Sequence, residues 1–300
     1  MLQVSAKLEL YRVFREVAAS GSISAASKRL YISQSAVSQS IKQLEEQLRT
    51  LLFVRSSRGV ELTANGKTLF DYVSSALGLI DAGEQKLLES RALLSGELVI
   101  AASDTITSSF LLPVLRAFHR DYPGVRLRII NGTGGESVRF LRAGHADIAF
   151  TSSVPEAEGL HIHPCFETHM VFAASPDFGV DFTRRYTMAE LAEMPLISLE
   201  KKTSSRAFLD ALFRSEGFEF APEIELDTAE LQLELAGIGL GVTCVARELF
   251  SRAFDSGVLR QIATDFTIPP RTVCMCTPGG VSPTPAAAKF MSMTAHRDEN

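Results

Sequence analysis

The residues from 33 to 42 carry side chains of the kinds that read nucleic-acid bases. Wound as a helix, Gln34, Ser35, Ser38, Gln39 and Lys42 share a face opposite Ala36, Val37, Ile41, Leu44 and Leu48. Glutamine pairs bidentately with adenine, and serine donates to or accepts from a base edge. Arg55 and Arg58 flank a Ser56-Ser57 turn, where guanidinium groups reach phosphates or a minor groove. A second set is rich in hydroxyls: Ser103-Asp104-Thr105, Gly132-Thr133 and Thr151-Ser152-Ser153 each follow a short apolar run. Ser and Thr are common caps and turn formers, so no single one carries an argument. Three such loops together suit a ligand, and the first lies at a helix N-terminus suited to an anionic group.

Other groupings do not close into sites. His161-x-His163-x-Cys165, with His169 beyond, puts metal-friendly residues on one face of a strand. Pro164 fits only an edge strand, however, and no second ligand cluster completes a tetrahedron. A structural or hinge strand is the better reading. Cys274-x-Cys276 is flanked by apolar residues and reads as buried thiols, with a redox pairing to Cys244 as the alternative. Gly237-x-Gly239-x-Gly241 lacks dinucleotide-binding spacing and follows a helix. With no G-x-S-x-G or P-loop pattern, nothing demands catalysis, a metal or a cofactor, and no enzyme is expected.

The 300 residues, 46% hydrophobic and 22% charged, suffice for a sizeable core and about two domains. No apolar run reaches the roughly 18 residues of a membrane span. The opening MLQVSAKLELYRVFREV has no apolar h-region, so no secretory signal is expected. Four cysteines fit reduced thiols in a cytoplasm. The net charge of −5 argues against nucleic acid only as a total. Residues 1–67 hold ten Lys/Arg and five Asp/Glu, a balance of +5, and the remainder carries −10. A basic head on an acidic body points to nucleic acid at one end.

The elements that must position these residues follow from periodicity. Leu8, Leu10, Tyr11, Phe14, Val17 and Ala18 predict a helix over 7–19, ended at Gly21. Ser22 caps a second helix over 23–30, and Ser33 caps a third that runs to about Leu48. Two short helices, a tight turn and a polar N-terminal half on the second make a helix-turn-helix. Residues 51–55 and 60–63 predict a small hairpin, a wing. Thr63 then caps a long helix from Asn65 to about Arg91, about 40 Å in length. Its apolar positions, among them Leu69, Tyr72, Val73, Leu77 and Ile80, are too many for an isolated helix. A second copy of the chain is the simplest partner; packing on its own C-terminal domain is the alternative.

Beyond Ser95-Gly96, short apolar strands alternate with helices: 98–102, 125–130, 146–150, 170–174, 195–199, 224–226 and 271–276. Such alternation predicts a mostly parallel sheet, with ligands beyond the carboxyl ends of its strands. The hydroxyl loops lie there. Lys201 and Lys202 beside Thr203 favour a carboxylate, sulfate or phosphate.

The run SGSISAASKRLYISQSAVSQSIKQLEEQL, then LFVRSSRGVELTANGK, resembles the N-terminal region of LysR-type transcriptional regulators. The family pattern of Gly-Ser-hydrophobic-x-x-Ala-Ala-x-x-Leu, Ser-Gln-x-x-Val-Ser, Leu-Phe-x-Arg and Leu-Thr-x-x-Gly is present in order. The resemblance implies that Gln34, Ser35, Ser38 and Gln39 enter the major groove. It makes Ser33, Lys42, Arg55 and Arg58 backbone or wing contacts. Gln39 stands where many members carry Arg or Lys. The two α/β lobes resemble the family's effector domain, which is similar to periplasmic solute-binding proteins. By position the resemblance carries effector contacts onto Ser103, Thr105, Thr133, Ser152 and Thr203.

The expected fold class is α/β: an N-terminal winged helix-turn-helix (1–63), a long linker and dimerisation helix (64–92) and a two-lobed α/β effector-binding domain (93–300). Lobe I takes about 93–167 and 268–300, and lobe II about 168–267. The expected function is a cytoplasmic, homodimeric or homotetrameric regulator that binds promoter DNA. A small-molecule effector, expected to be anionic, modulates it, and RNA polymerase is a further candidate partner. The alternative is an α/β solute-binding or enzymatic protein without sequence-specific DNA binding.

Overall fold

The computed structural model describes residues 6–56, 59–89, 96–152 and 158–295. They fall into two compact units, Met1–Leu88 and Glu89–Asn300.

In the first unit, α1 (Leu8–Ser20) buries Leu10, Val13, Phe14 and Val17, one stripe at helical spacing. Gly21 ends it with φ +60, returning its N–H to the Val17 carbonyl. Ser22 Oγ caps α2 (Ile23–Leu30) by accepting from Ala25 N–H at 3.3 Å. Ser33 Oγ caps α3 (Gln34–Leu48) by accepting from Ala36 N–H at 3.1 Å. Between these helices Tyr31 takes left-handed backbone, and its side chain is 95% exposed.

β1 (Phe53–Ser56) and β2 (Gly59–Leu62) pair antiparallel as the wing. Val60 N–H donates to the Gly21 carbonyl at 3.1 Å. A Cβ on Gly59, at φ +134, would lie 2.5 Å from that same oxygen, so glycine lets the wing lie against the corner that ends α1. α4 (Ala64–Glu89) starts at Thr63, whose Oγ1 accepts the Gly66 N–H at 2.9 Å. A Cβ on Gly66 would overlap the Leu52 carbonyl oxygen, the acceptor of Thr63 N–H. Part of the apolar surface of α4 is used within this unit: Val73 and Leu77 join Phe14, Val37, Leu44 and Leu52 in its core. On the outer side Tyr72 is 75% and Leu79 40% exposed, with exposed Ala76 between them.

Among the described residues the second unit has eleven strands in two sheets. They are β3 (Gly96–Ala102), β4 (Val125–Asn131), β5 (Ile148–Thr151), β6 (Leu160–Thr168), β7 (Met170–Ala174) and β8 (Arg185–Tyr186). Then come β9 (Leu196–Leu199), β10 (Ile224–Leu226), β11 (Val242–Ala246), β12 (Arg260–Thr264) and β13 (Arg271–Pro278). One lobe holds the sheet β4-β3-β5-β13-β6 and the other holds β10-β9-β11-β7-β12-β8. Each sheet is mostly parallel, as expected, with one strand reversed. β13 runs antiparallel to β5 and β6, and β7 antiparallel to β11 and β12. These are strands next to the passages between lobes, where direction is set by the crossing and not by a right-handed βαβ unit.

The two passages lie side by side. Thr168 ends β6, Arg271 starts β13, and the Thr168 hydroxyl donates to the Arg271 carbonyl at 3.0 Å. Phe110, Phe118, Phe150 and Phe290 anchor the core of the first lobe, and Phe172, Phe213 and Phe220 that of the second. β6 is an edge strand, as Pro164 requires. Its register shifts between Phe166, opposite Val273, and Pro164, opposite Cys274. The bulge sets Cys165 out of step with His161 and His163. Among the described residues no group of three metal-ligating side chains forms. After β3, the helix Asp104–Ile106 passes through a π turn, Thr107–Leu111, into the helix Leu112–Asp121.

Candidate DNA-binding face and effector cavity

The outer face of α3 is built by its apolar inner face. Val37, Ile41 and Leu44 are buried against α1, which fixes the rotation of the helix about its axis. Gln34, Ser35, Gln39 and Lys42 are thereby exposed and Ser38 half-buried, with Ser33 exposed at the cap. Gln34 Nε2 donates to Ser24 Oγ on α2 at 3.3 Å, and the Ser33 and Ser35 hydroxyls lie 2.9 Å apart. Lys42 pairs loosely with Glu46 at 3.7 Å, a contact that leaves its charge available. Arg55 lies on β1 with its backbone opposite Val60. Its side chain and the whole of Arg58 lie outside the described residues.

Sequence reasoning missed Glu45, whose carboxylate accepts from Leu52 N–H at 2.7 Å and Phe53 N–H at 3.2 Å. That group joins α3 to the wing. Helical patterning alone sees only another exposed acid there.

Between the two lobes of the second unit lies a cavity of about 330 Å³, the low end of small-molecule sites. Ser103, Thr105, Thr133, Ser152 and Thr203 all line it. Three of them are helix caps. Ser103 Oγ accepts from Ile106 N–H at 3.3 Å, Thr133 Oγ1 from Glu136 N–H at 3.4 Å, and Thr203 Oγ1 from Arg206 N–H at 3.2 Å. Their remaining capacity differs. The Thr133 hydroxyl donates to Glu136 Oε2 at 2.9 Å, and the Thr203 hydroxyl to the Glu200 carbonyl at 3.0 Å. The Ser103 hydroxyl proton has no acceptor among the described residues, so it can serve a ligand.

The charges around the cavity are mostly negative. Asp104, Glu136, Asp227 and Glu230 line it, against Lys202, whose Nζ lies 2.9 Å from Glu200. The Thr133 N–H and hydroxyl hold the Glu136 carboxyl below its usual range. Asp104 accepts from Asn131 Nδ2 at 2.8 Å. Deeper in, Gln232 is buried and donates through Nε2 to the Ile197 carbonyl at 3.1 Å and to Thr243 Oγ1 at 2.6 Å. Cys244 also lines the cavity, and burial pushes its thiol up, away from the thiolate. It belongs to the second sheet, whereas Cys274 and Cys276 lie on β13 in the first. Among the described residues no disulfide joins Cys165, Cys244, Cys274 or Cys276.

Sequence reasoning also missed Arg271. It is buried at 8% exposure on the first residue of β13, with Nη1 3.3 Å from Ser205 Oγ and Nη2 3.4 Å from the Ser152 carbonyl. Ser152 and Ser205 line the cavity from opposite lobes. An arginine just after two prolines gives no periodic signal.

Comparisons with known proteins agree with this architecture. Residues 8–67 match the model for the bacterial regulatory helix-turn-helix protein, lysR family, and residues 91–298 match the LysR substrate binding domain. The chain is 31% identical over 249 residues to the HTH-type transcriptional regulator SoxR of Arthrobacter sp. (strain TE1826), covering 83% of each. It is similar in fold to ArgP from Mycobacterium tuberculosis, with a TM-score of 0.69 at 23% identity, covering 96% of this chain and 95% of that one. It is also similar to full-length CbnR complexed with its target DNA, with a TM-score of 0.54 at 23% identity over 97% and 99% of the two chains. A regulatory helix-turn-helix followed by a substrate-binding domain accounts for most of the residues. The chain therefore belongs to the LysR family, DNA-binding transcriptional regulators whose activity a small-molecule effector modulates.

Proposed function

We propose that α3 enters the major groove of operator DNA, where Gln34, Ser35, Ser38 and Gln39 read base edges. Ser33, Lys42, Arg55 and Arg58 hold the phosphate backbone or reach from the wing. The observation that carries this is the exposed polar face of α3, held in one orientation by its buried face. The cavity takes the effector, with Ser103, Thr105, Thr133, Ser152 and Thr203 as its polar contacts. The effector is anionic, a reading supported by the unclaimed hydroxyl proton of Ser103.

The working form is a homodimer or homotetramer, with the outer stripe Tyr72, Ala76 and Leu79 of α4 as the pairing surface. RNA polymerase is its partner at the promoter, the protein acts in the cytoplasm, and it catalyses no reaction. Among the described residues no helix is long and apolar enough to cross a membrane. Effector binding alters DNA affinity only as far as it prefers one arrangement of the two lobes.

A gel-shift titration on DNA upstream of the protein's own gene, at two salt concentrations and with competitor DNA, tests the reading. Specific, salt-sensitive retardation is expected. Equal affinity for target and competitor DNA overturns it.

A further inference from the structure

Arg271 poses a problem that its own protein does not solve. A buried guanidinium ordinarily has a carboxylate beside it, because leaving a charge unpaired in the interior is costly. Arg206, in the other lobe, shows the ordinary solution: it is 2% exposed and bonded to Asp210 and Glu225 at 2.8 Å each. Arg271 has no acid within salt-bridge distance among the described residues. Its partners are the Ser205 hydroxyl at 3.3 Å, the Ser152 carbonyl at 3.4 Å and the face of Phe208, 5.1 Å from the guanidinium carbon. Both hydrogen bonds are long for a charged donor. The titratable side chain that acts on it is the Cys244 thiol, which burial keeps protonated. A full positive charge thus stands behind the cavity wall, pointing at two residues that line it.

The cavity lining says what such a charge is for. A planar guanidinium fork matches a carboxylate with two parallel hydrogen bonds. The cavity also carries Asp104, Glu136, Asp227 and Glu230, and its Lys202 is already engaged by Glu200. A second negative charge on the ligand would face these carboxylates with little to offset them. We propose that Arg271 is the counter-charge for the effector, and that the effector is a monocarboxylate whose carboxylate pairs with it between Ser152 and Ser205. This inference rests on the reading of the cavity as the effector site, and adds to it the residue that reads the charge. Because Ser152 and Ser205 belong to different lobes, the same pairing draws on both.

The test uses the full-length chain, Arg271→Met and Arg271→Lys, in thermal-shift titrations at constant ionic strength. The probes are sodium propionate and sodium benzoate, sodium malonate as a dianion, and propionamide and benzamide as neutral counterparts. Propionate or benzoate should raise the melting temperature of the parent chain saturably. Malonate should bind more weakly. Arg271→Met should lose at least about 10-fold in carboxylate affinity, and Arg271→Lys should retain part of it. Without ligand, Arg271→Met should melt as high as the parent or about 2–4 °C higher, since it removes an unpaired buried charge. A melting point several degrees lower would show that the guanidinium is already satisfied, and overturns the proposal. So do carboxylate shifts of equal size in the parent and Arg271→Met, and so does a parent chain that no carboxylate stabilises. Amides that stabilise parent and Arg271→Met alike, where carboxylates do not, would overturn the charge assignment and leave the effector cavity standing. No shift from any of the five compounds removes the cavity reading together with it.

Discussion

The carboxylate of Glu45, near the end of α3, accepts the backbone N–H of Leu52 at 2.7 Å, just before the wing begins. The bond links the orientation of α3 to that of the hairpin, so the two present one surface. A hydrogen bond to an ionised group contributes about 1.5–3 kcal/mol. Glu45→Ala should therefore lower the melting temperature of the head and weaken DNA binding on every sequence. Glu45→Gln keeps an acceptor oxygen and should recover most of the loss. Differential scanning calorimetry beside fluorescence anisotropy on DNA checks both. Unchanged melting in Glu45→Ala would contradict the link.

Gln34 and Lys42 stand on the same face, and the proposed roles predict different failures. Gln34→Ala should relax sequence preference, narrowing the gap between target and mismatched DNA by about 1–3 kcal/mol per base pair it reads. Lys42→Ala should weaken binding to all sequences and reduce the salt slope by about 1. Anisotropy titrations at several salt concentrations on target and scrambled DNA separate the two patterns. A uniform loss for Gln34→Ala would remove it from base reading.

The exposed stripe on α4 predicts an assembly defect. Tyr72→Glu with Leu79→Glu places charges on two outer positions one heptad apart, away from the buried Val73 and Leu77. The double variant should fold, with unchanged far-ultraviolet circular dichroism, and run as a smaller species by light scattering. Retention of the parent mass would move the pairing surface elsewhere.

Glu136 ties the cavity to pH. Hydrogen bonds from the Thr133 N–H and hydroxyl depress its folded-state pKa. A group depressed in this way lends stability that is present above the ordinary carboxylate range and is lost as pH falls through the folded value. The melting temperature should hold down to the usual glutamate range near about pH 4.3 and decline below it. Glu136→Gln should show a shallower decline, because its amide does not titrate. Parallel curves for the two proteins would mean that other carboxylates carry the acid sensitivity.

Legibility followed the range of the interaction. Helix starts were readable because caps are local: Ser22, Ser33 and Thr63 each accept a hydrogen bond from an N–H three residues on. The hydroxyl residues of the cavity were readable because strand ends in an alternating fold converge on one side. Glu45 was not, since its partners seven and eight residues away are backbone groups of the segment entering the wing. Arg271 was not, since Ser205 and Ser152 are 66 and 119 residues distant. The one reversed strand in each sheet escaped for the same reason: its direction depends on where the chain crosses between lobes.

The π turn at Thr107–Leu111 bears on the cavity in one more way. Such a turn amounts to one residue added to an α-helix and absorbed in a single wider turn, so it adds none of the roughly 100° that a residue contributes to a regular helix. Deleting Ser108 would restore a uniform helix and leave the apolar face of Val114 and Phe118 in the core. Ser103 and Thr105, before the deletion, would keep their facing toward the cavity. The same deletion from the regular helix Leu112–Asp121 has no wider turn to absorb it and would rotate one flank against the other by about a quarter turn.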